Sequence, residues 1–205
     1  MFNHLRTMLC LVARTIVSSD SAAIKEATST LEGLQTVFNG ESNANALYLA
    51  FAKKADEEGF GRVASLFRAA AKAEEIHARN HGEVIRRMGA TPALNLEPIE
   101  VKSTRENLKT AIAGETYERD LMYPEFVEVA TYERATAVIR TLTFALKVEA
   151  VHAVLYQDAL DNLQKRTGKN HTYYVCSDCG NTLEELNIVK CLVCGHSKSG
   201  FIAVS

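Results

Sequence analysis

Two sets of residues in this chain have types and spacings that could hold metal ions. The first is Cys176-x-x-Cys179 and Cys191-x-x-Cys194, within the last thirty residues. Two turns of this kind can wrap one tetrahedral ion, with turn amides supporting the thiolates, but the spacing does not choose between iron and zinc. The second is a pair of Glu-x-x-His motifs, Glu74/His77 and Glu149/His152. Positions i and i+3 lie about 60° apart around a helix, so carboxylate and imidazole can approach one ion together. Glu41, Glu115 and Glu118 fall on the same apolar stripes, which brings seven donor residues into one predicted core. Unpaired buried carboxylates cost several kcal/mol each, and the stripes carry no Lys or Arg apart from nearby Arg119. A divalent cation is the natural counter-charge. Hard oxygen donors with two imidazoles suit iron or manganese. Glu75 points roughly opposite His77 and reads as solvated surface.

The elements that must position these donors are four long helical patterns over about residues 28–166. Leu34, Val37, Phe38, Glu41, Tyr48 and Ala52 mark the first, and Val63, Phe67, Ala70, Glu74, His77, His81 and Ile85 the second. Gly89 to Lys102, with Pro92 and Pro98, has no helical period and reads as a crossover. Ser103-Thr104-Arg105-Glu106 has the form of a capping box and opens a third helix carrying Leu108, Glu115, Glu118, Met122, Phe126 and Val129. A fourth begins near Tyr132 and carries Leu142, Glu149, His152 and Tyr156, ending before Gly168. Short turn, long crossover, short turn is the ferritin-like connectivity of a four-helix bundle. The halves also echo each other: Glu41 to Glu115 is 74 residues, while Tyr48 to Tyr123, Glu74 to Glu149 and His77 to His152 are each 75. Residues 27–168 are thus read as the bundle, and 171–205 as a small four-cysteine domain that needs its metal to fold.

Composition fits this reading. With 205 residues, 47% hydrophobic, the chain can bury one core plus an appendage and is too apolar for disorder. A net charge of −2 argues against a nucleic-acid or anionic membrane surface. Five cysteines, four in CxxC pairs, indicate metal binding in a reducing, cytoplasmic compartment rather than disulfides. The apolar run Met8 to Ala13 is interrupted by Arg14 before signal-peptide length, and no stretch nears the roughly 20 apolar residues of a membrane span. Residues 1–26 read as an extension of unassigned role, with Cys10 a bystander.

The ordered motifs Gly40-Glu41-Ser42, Glu74-x-x-His77, Gly114-Glu115-Thr116-Tyr117-Glu118, Met122-Tyr123-Pro124-Glu125-Phe126 and Glu149-x-x-His152, followed by the CxxC pair, resemble rubrerythrin over about residues 30–205. The resemblance implies a mainly α, ferritin-like bundle with two non-haem irons, oxo-bridged when oxidised, and a C-terminal rubredoxin-like four-cysteine site holding iron, with zinc as the alternative. It implies that Glu74 and Glu149 bridge the metals, Glu41 and Glu115 are terminal ligands, and His152 holds one iron. The other iron would exchange Glu118 for His77 between redox states. Tyr48 and Tyr123 match tyrosines that hydrogen-bond the ligating carboxylates. Pro124 suggests a kink beside the site, and His81 reads as a core histidine. Val175, Val193 and Phe201 are expected to cover the cysteines, and His196 to lie on the surface. One departure is Cys191-Leu192-Val193-Cys194, where the family usually has proline after the first cysteine.

The activity implied is that of an NAD(P)H-linked peroxidase. Hydrogen peroxide is reduced to water at the di-iron site, with electrons from an external donor, a rubredoxin or NAD(P)H-dependent reductase, passing through the tetrathiolate iron. The family resemblance also implies a homodimer in which the tetrathiolate site of one subunit serves the di-iron site of another. Two other readings share the residues: a ferroxidase, iron-storage or oxygen-reducing protein, and a bundle with a structural zinc knuckle and no turnover.

Overall fold

The computed structural model describes residues 29–205, so the expectations for residues 1–26, Cys10 included, lie outside the described residues. Helix α1 spans Thr30–Glu57, begun by the Ser29 hydroxyl accepting from the Glu32 amide. Helix α2 spans Gly61–Arg87, and its alanines at 64, 69, 70, 71 and 73 let neighbours pack closely on several sides. Helix α3, Thr104–Tyr117, opens with the capping box read from sequence, Ser103 and Glu106 each satisfying the other's backbone amide. Helix α5 spans Thr136–Asp161.

The crossover is an extended segment strapped to α1 by three amide side chains one turn apart. Gln35 bonds the backbone at Thr91 and Ala93, Asn39 that of Asn95, and Asn43 that of Asn95 and Glu97. Alternate backbone groups from Thr91 to Glu97, in chain without secondary structure, thereby find partners.

Between α3 and α5 the chain departs from a single long helix. Glu118–Met122 forms a π-helical segment, and helix α4 covers Tyr123–Tyr132. The Tyr123 amide donates to the Glu118 carbonyl, five residues back, and Pro124 next to it has no amide to donate. An unbroken α-helix would leave Tyr123, eight residues after Glu115, about 80° around the axis from it. The wider π turn brings it back toward the same face. Periodicity places the start of the fourth helix near Tyr132, but Tyr132 ends α4. Arg134 turns left-handed at φ 57° and the Ala135 amide closes on the Ala130 carbonyl at 2.8 Å before α5 starts.

The apolar interior is interrupted by one polar layer. Along α1, Leu34 and Val37 precede Glu41, and Tyr48 and Phe51 follow it; along α5, Leu142 and Ala145 precede Glu149 and His152, and Tyr156 and Ala159 follow. One apolar cluster gathers around Phe67 and Tyr156, the other around Ile85 and Phe126.

A three-stranded antiparallel sheet in the order β2-β1-β3 carries the cysteines, with β1 at Tyr173–Cys176, β2 at Thr182–Leu183 and β3 at Phe201–Val204. Its attachment to the bundle is specific. Buried Arg166 ion-pairs with Asp158 at the end of α5 and, at 2.7 Å, with Glu184 beyond β2. The linker also presses on the start of α2, where a Cβ on Gly61 would meet the Gly168 carbonyl at 2.2 Å. Val175, expected over the cysteines, faces the bundle core instead, because alternation along β1 sends Tyr173 and Val175 one way. Phe144 of α5 takes part in the cysteine cover with Val193 and Phe201.

Candidate metal centres

Four helices deliver one layer of donors at mid-bundle: Glu41 from α1, Glu74 and His77 from α2, Glu115 from α3, and Glu149 and His152 from α5. All six are buried, none more than 2% exposed. They form two overlapping clusters, Glu41–Glu74–His77–Glu149 and Glu74–Glu115–Glu149–His152. The shared members divide their oxygens. Glu74 places Oε2 at 2.9 Å from His77 Nδ1 and Oε1 at 3.2 Å from His152 Nδ1. Glu149 does the same at 3.0 Å and 3.0 Å. Glu41 reaches only His77, at 3.5 Å, and Glu115 only His152, at 3.6 Å. The outcome is a pseudo-twofold arrangement of two carboxylates shared between the clusters and one at each end.

Both imidazoles are held in one tautomer by the four-cysteine domain. His77 Nε2 lies 3.1 Å from the Cys179 carbonyl, which can only accept, so that nitrogen carries the proton. His152 Nε2 lies 3.1 Å from the Thr182 hydroxyl, whose own proton goes to the Gly180 carbonyl at 3.0 Å. Each Nδ1 lone pair therefore faces carboxylate oxygens. Lone pairs in that position repel unless a proton or a metal ion stands between them. Donors about 2.1 Å from one ion and at right angles lie about 3.0 Å apart, the spacing these atoms have. The buried atoms left without a hydrogen-bond partner tell the same story: Glu41 Oε2, both oxygens of Glu74, His77 Nδ1, Glu115 Oε2 and Glu149 Oε1. The residues fit a pair of divalent ions.

Electrostatics without metal show the strain of this layer. Burial, with the charges of Glu74 and Glu149, holds the Glu41 carboxyl well above its usual range. Burial and the neighbouring Glu149 and Glu74 push Glu115 up to about 8, against the pull of His152. Burial alone would lower both histidines, but Glu149 and Glu41 raise His77, and Glu115 and Glu74 raise His152, well above the ordinary value. Burial also acts on Glu74, yet the two histidines outweigh it and hold that carboxyl low. Among the described residues these carboxylates have no Lys or Arg ion-pair partner, and Arg119 pairs with exposed Asp120 at 2.6 Å.

The tyrosines cross the pseudo-twofold. Tyr48 donates to Glu115 Oε1 at 2.7 Å, and Tyr123 donates to Glu41 Oε1 through a very short bond. Burial and the adjacent carboxylate raise both phenols, so they stay protonated donors. The π segment is what brings Tyr123 to bear. Glu118 joins neither cluster; it lies half-buried on that segment, held up by burial and the charges of Glu41 and Glu115. Glu75 is exposed and pairs with Lys72 at 2.8 Å.

His81 is fully buried, with Nε2 at 3.3 Å from the Tyr123 hydroxyl and Nδ1 at 3.0 Å from that of Thr141. Burial, then the neighbouring His77, lowers it to about 3, so the ring is neutral. Sequence reasoning missed Thr141 and Thr182, since a lone threonine gives no signal until its partner is known.

The cysteines converge as a second centre, with Cys176, Cys179, Cys191 and Cys194 in one cluster. Sγ separations of 3.6 Å for Cys176–Cys194 and for Cys179–Cys191 exclude disulfides. They match the roughly 3.8 Å edge of a tetrahedron with about 2.3 Å metal–sulfur bonds. A hydrogen bond from the Cys179 thiol and amides of the turn lower Cys176 to about 5; burial pushes Cys194 up to about 12. Cys176 thus yields a thiolate readily, whereas Cys194 needs a cation beside it to do so. Gly180 sits at φ 79°, and a Cβ there would lie 2.7 Å from His77 Nε2, so glycine permits both the turn and its approach to α2. Arg79 and Asn80 add bonds to the Ser177 and Asp178 carbonyls at 2.9 Å and 2.7 Å. The chain's own cysteine cluster thus lies against its own bundle site. His196 is exposed.

A long-crossover four-helix bundle with a dinuclear carboxylate–histidine centre and an appended tetrathiolate metal site is the class that fold and site define. The family model described as Rubrerythrin matches residues 32–160. Rubrerythrin-2 of Clostridium acetobutylicum is 34% identical over 177 residues, covering 85% of this chain and 96% of that protein. Nigerythrin of Nitratidesulfovibrio vulgaris is 33% identical over 178 residues, covering 85% and 86%. A solved structure of nigerythrin in its fully reduced, all-ferrous state superposes with a TM-score of 0.80 at 33% identity, covering 86% of this chain and 87% of that one. The chain belongs to the rubrerythrin family. No helix among the described residues is long and apolar enough to cross a membrane.

Proposed function

We propose that this protein is a non-haem di-iron peroxidase that reduces hydrogen peroxide to water with electrons entering through its tetrathiolate iron. The observation that carries the reading is the bond between His77 Nε2–H and the Cys179 carbonyl at 3.1 Å, which joins a candidate ligand of one centre to a candidate ligand of the other. A storage or ferroxidase bundle has no use for such a link. In this reading Glu74 and Glu149 bridge the ions, Glu41 and Glu115 are terminal, His77 and His152 each bind through Nδ1, and Glu118 is a ligand held in reserve on the π segment.

The iron pair, when bound, supplies the two electrons and the Lewis acidity for cleaving the O–O bond. The chain's residues do the rest. Cys179 and Thr182 fix both imidazole tautomers, as partners behind metal ligands commonly do. Tyr48 and Tyr123 hold the end carboxylates and their protons stand next to the reacting centre. Glu118 marks the least enclosed side of the donor layer and so the direction from which a small peroxide enters. The tetrathiolate iron returns electrons one at a time from an external rubredoxin or NAD(P)H-dependent reductase in a reducing, cytoplasmic compartment. A homodimer is the proposed assembly.

The test is steady-state peroxide consumption by iron-loaded full-length protein with an NAD(P)H-dependent reductase, beside Cys191→Ser. The account expects turnover in the parent and its loss in the variant, with the bundle still loaded. Equal turnover in both would favour the ferroxidase reading, and a colourless, zinc-filled cysteine site the structural one.

A further inference from the structure

We propose that Thr141, His81 and Tyr123 form a directed proton-delivery chain that ends on Glu41. The proposal rests on the peroxidase reading and extends it to residues from α5 and α2 that hold no metal in that reading. Direction follows from counting protons. The single phenolic proton of Tyr123 goes to Glu41 Oε1, so the Tyr123 oxygen can only accept from His81 Nε2, 3.3 Å away. His81 must then carry its proton on Nε2, which leaves Nδ1 to accept from the Thr141 hydroxyl at 3.0 Å. Every bond points inward, and His81 and Tyr123 each accept from one neighbour and donate to the next.

Any neutral histidine bonded through both nitrogens donates from one and accepts at the other, so the ring alone does not make a relay; what it connects does. Here the line crosses three helices and ends on a carboxylate whose other oxygen, Oε2, faces the donor layer. Thr141 is half-buried, and its oxygen keeps lone pairs for water once its proton is donated. One helical turn from it, Val138 lines a surface cleft with Val84 and Arg87 of α2 and with Met88 just beyond it.

Reducing one peroxide to two waters consumes two electrons and two protons: the O–O bond breaks and both oxygens end as water. The electrons come from the reduced metal centres. In the proposed step Thr141 takes a proton from solvent and passes its own to His81 Nδ1. The Nε2 proton moves to Tyr123 and the phenolic proton to Glu41, beside the reacting oxygen. No member needs to rest in a charged form.

Two measurements test this. In full-length protein loaded with Zn²⁺, which is diamagnetic, nitrogen-15 NMR of His81 is expected to show the Nε2–H tautomer; an Nδ1–H ring overturns the chain. In iron-loaded protein, Thr141→Val should lower kcat for peroxide on the order of tenfold, as loss of a positioned proton donor does. KM and metal content should hold, the solvent isotope effect should rise, and Thr141→Ser should restore the rate. Wild-type kcat and isotope effect in Thr141→Val overturn the delivery role. His81→Leu should match Thr141→Val, and a folded His81→Leu protein with full turnover overturns it equally. A wild-type protein that turns over no peroxide sinks the peroxidase reading instead, and the tautomer then decides the chain by itself.

Discussion

Replacing Gly180 by alanine tests how the two metal centres communicate. Two costs arise, and they act on different things. The left-handed backbone at φ 79° costs a residue with a Cβ about 1–2 kcal/mol. That strain belongs to the Cys176–Gly180 turn whether or not the turn is docked, so it lowers the stability of the four-cysteine domain alone. The second cost is specific to docking, since the new methyl would stand 2.7 Å from His77 Nε2 and 3.2 Å from the Ala73 Cβ. Ordinary contact begins near 3.4 Å, so the turn must withdraw by about 0.7 Å. The bond between His77 and Cys179, now 3.1 Å, opens to about 3.8 Å, which is no hydrogen bond. One such bond is worth about 1 kcal/mol, or roughly fivefold in the docked population. If the Arg79 and Asn80 contacts follow, about 3 kcal/mol is lost, on the order of 100-fold. Rapid-mixing oxidation of the reduced tetrathiolate iron by peroxide should therefore slow between about fivefold and 100-fold, with the ferric tetrathiolate spectrum and iron content unchanged. An unchanged rate in a fully loaded variant would refute the role given to this contact.

Three further outcomes follow from the geometry. Thr182→Val removes the acceptor that fixes the His152 tautomer, so the bundle's metal affinity should fall about 10–100-fold by chelator competition while the cysteine site fills normally; equal affinity would contradict this. Tyr48→Phe strips Glu115 of a buried donor at 2.7 Å and should cost the loaded protein about 1.5–3 kcal/mol in denaturant unfolding, with no change in m-value. The metal-free protein should lose stability as pH rises from about 4.5 to 8. Glu115, lifted to about 8 by burial, binds its proton more tightly folded than unfolded. Its contribution is complete below the unfolded value and gone above the folded one, and the raised His77 and His152 act in the same sense. Bound metal displaces those protons and should flatten the profile; metal-free stability that climbs over this range would show the carboxylates are not stressed as described.

Much of this arrangement was legible in the residues because it repeats. The Glu-x-x-His pairs, the donors set within apolar stripes and the prolines of the crossover led to the bundle and its polar layer. The π segment was also written there, as a mismatch. Glu41 and Glu115 are 74 residues apart while the tyrosines that follow them are 75 apart, a one-residue insertion that α3 and α4 absorb between Glu118 and Tyr123. Periodicity could not reveal it, because a stripe drawn at 3.6 residues per turn tolerates a single slip. The partners of the imidazoles were not legible at all. Cys179 contributes a carbonyl, Thr182 and Thr141 a hydroxyl each, and which helix face they meet depends on how the four-cysteine domain and α5 pack. Periodicity misplaces the end of α4 because Glu133 to Ala135 stops the helix without glycine or proline, through a left-handed arginine.

The central claim is that both centres hold iron and that electrons pass between them to peroxide. Its most direct test is to reduce the full-length protein anaerobically, add one equivalent of hydrogen peroxide and follow the visible band of the ferric tetrathiolate centre by stopped flow. The account predicts fast return of that band, and much slower return with dioxygen in place of peroxide. Absence of any band, or a return no faster with peroxide than with dioxygen, would contradict it.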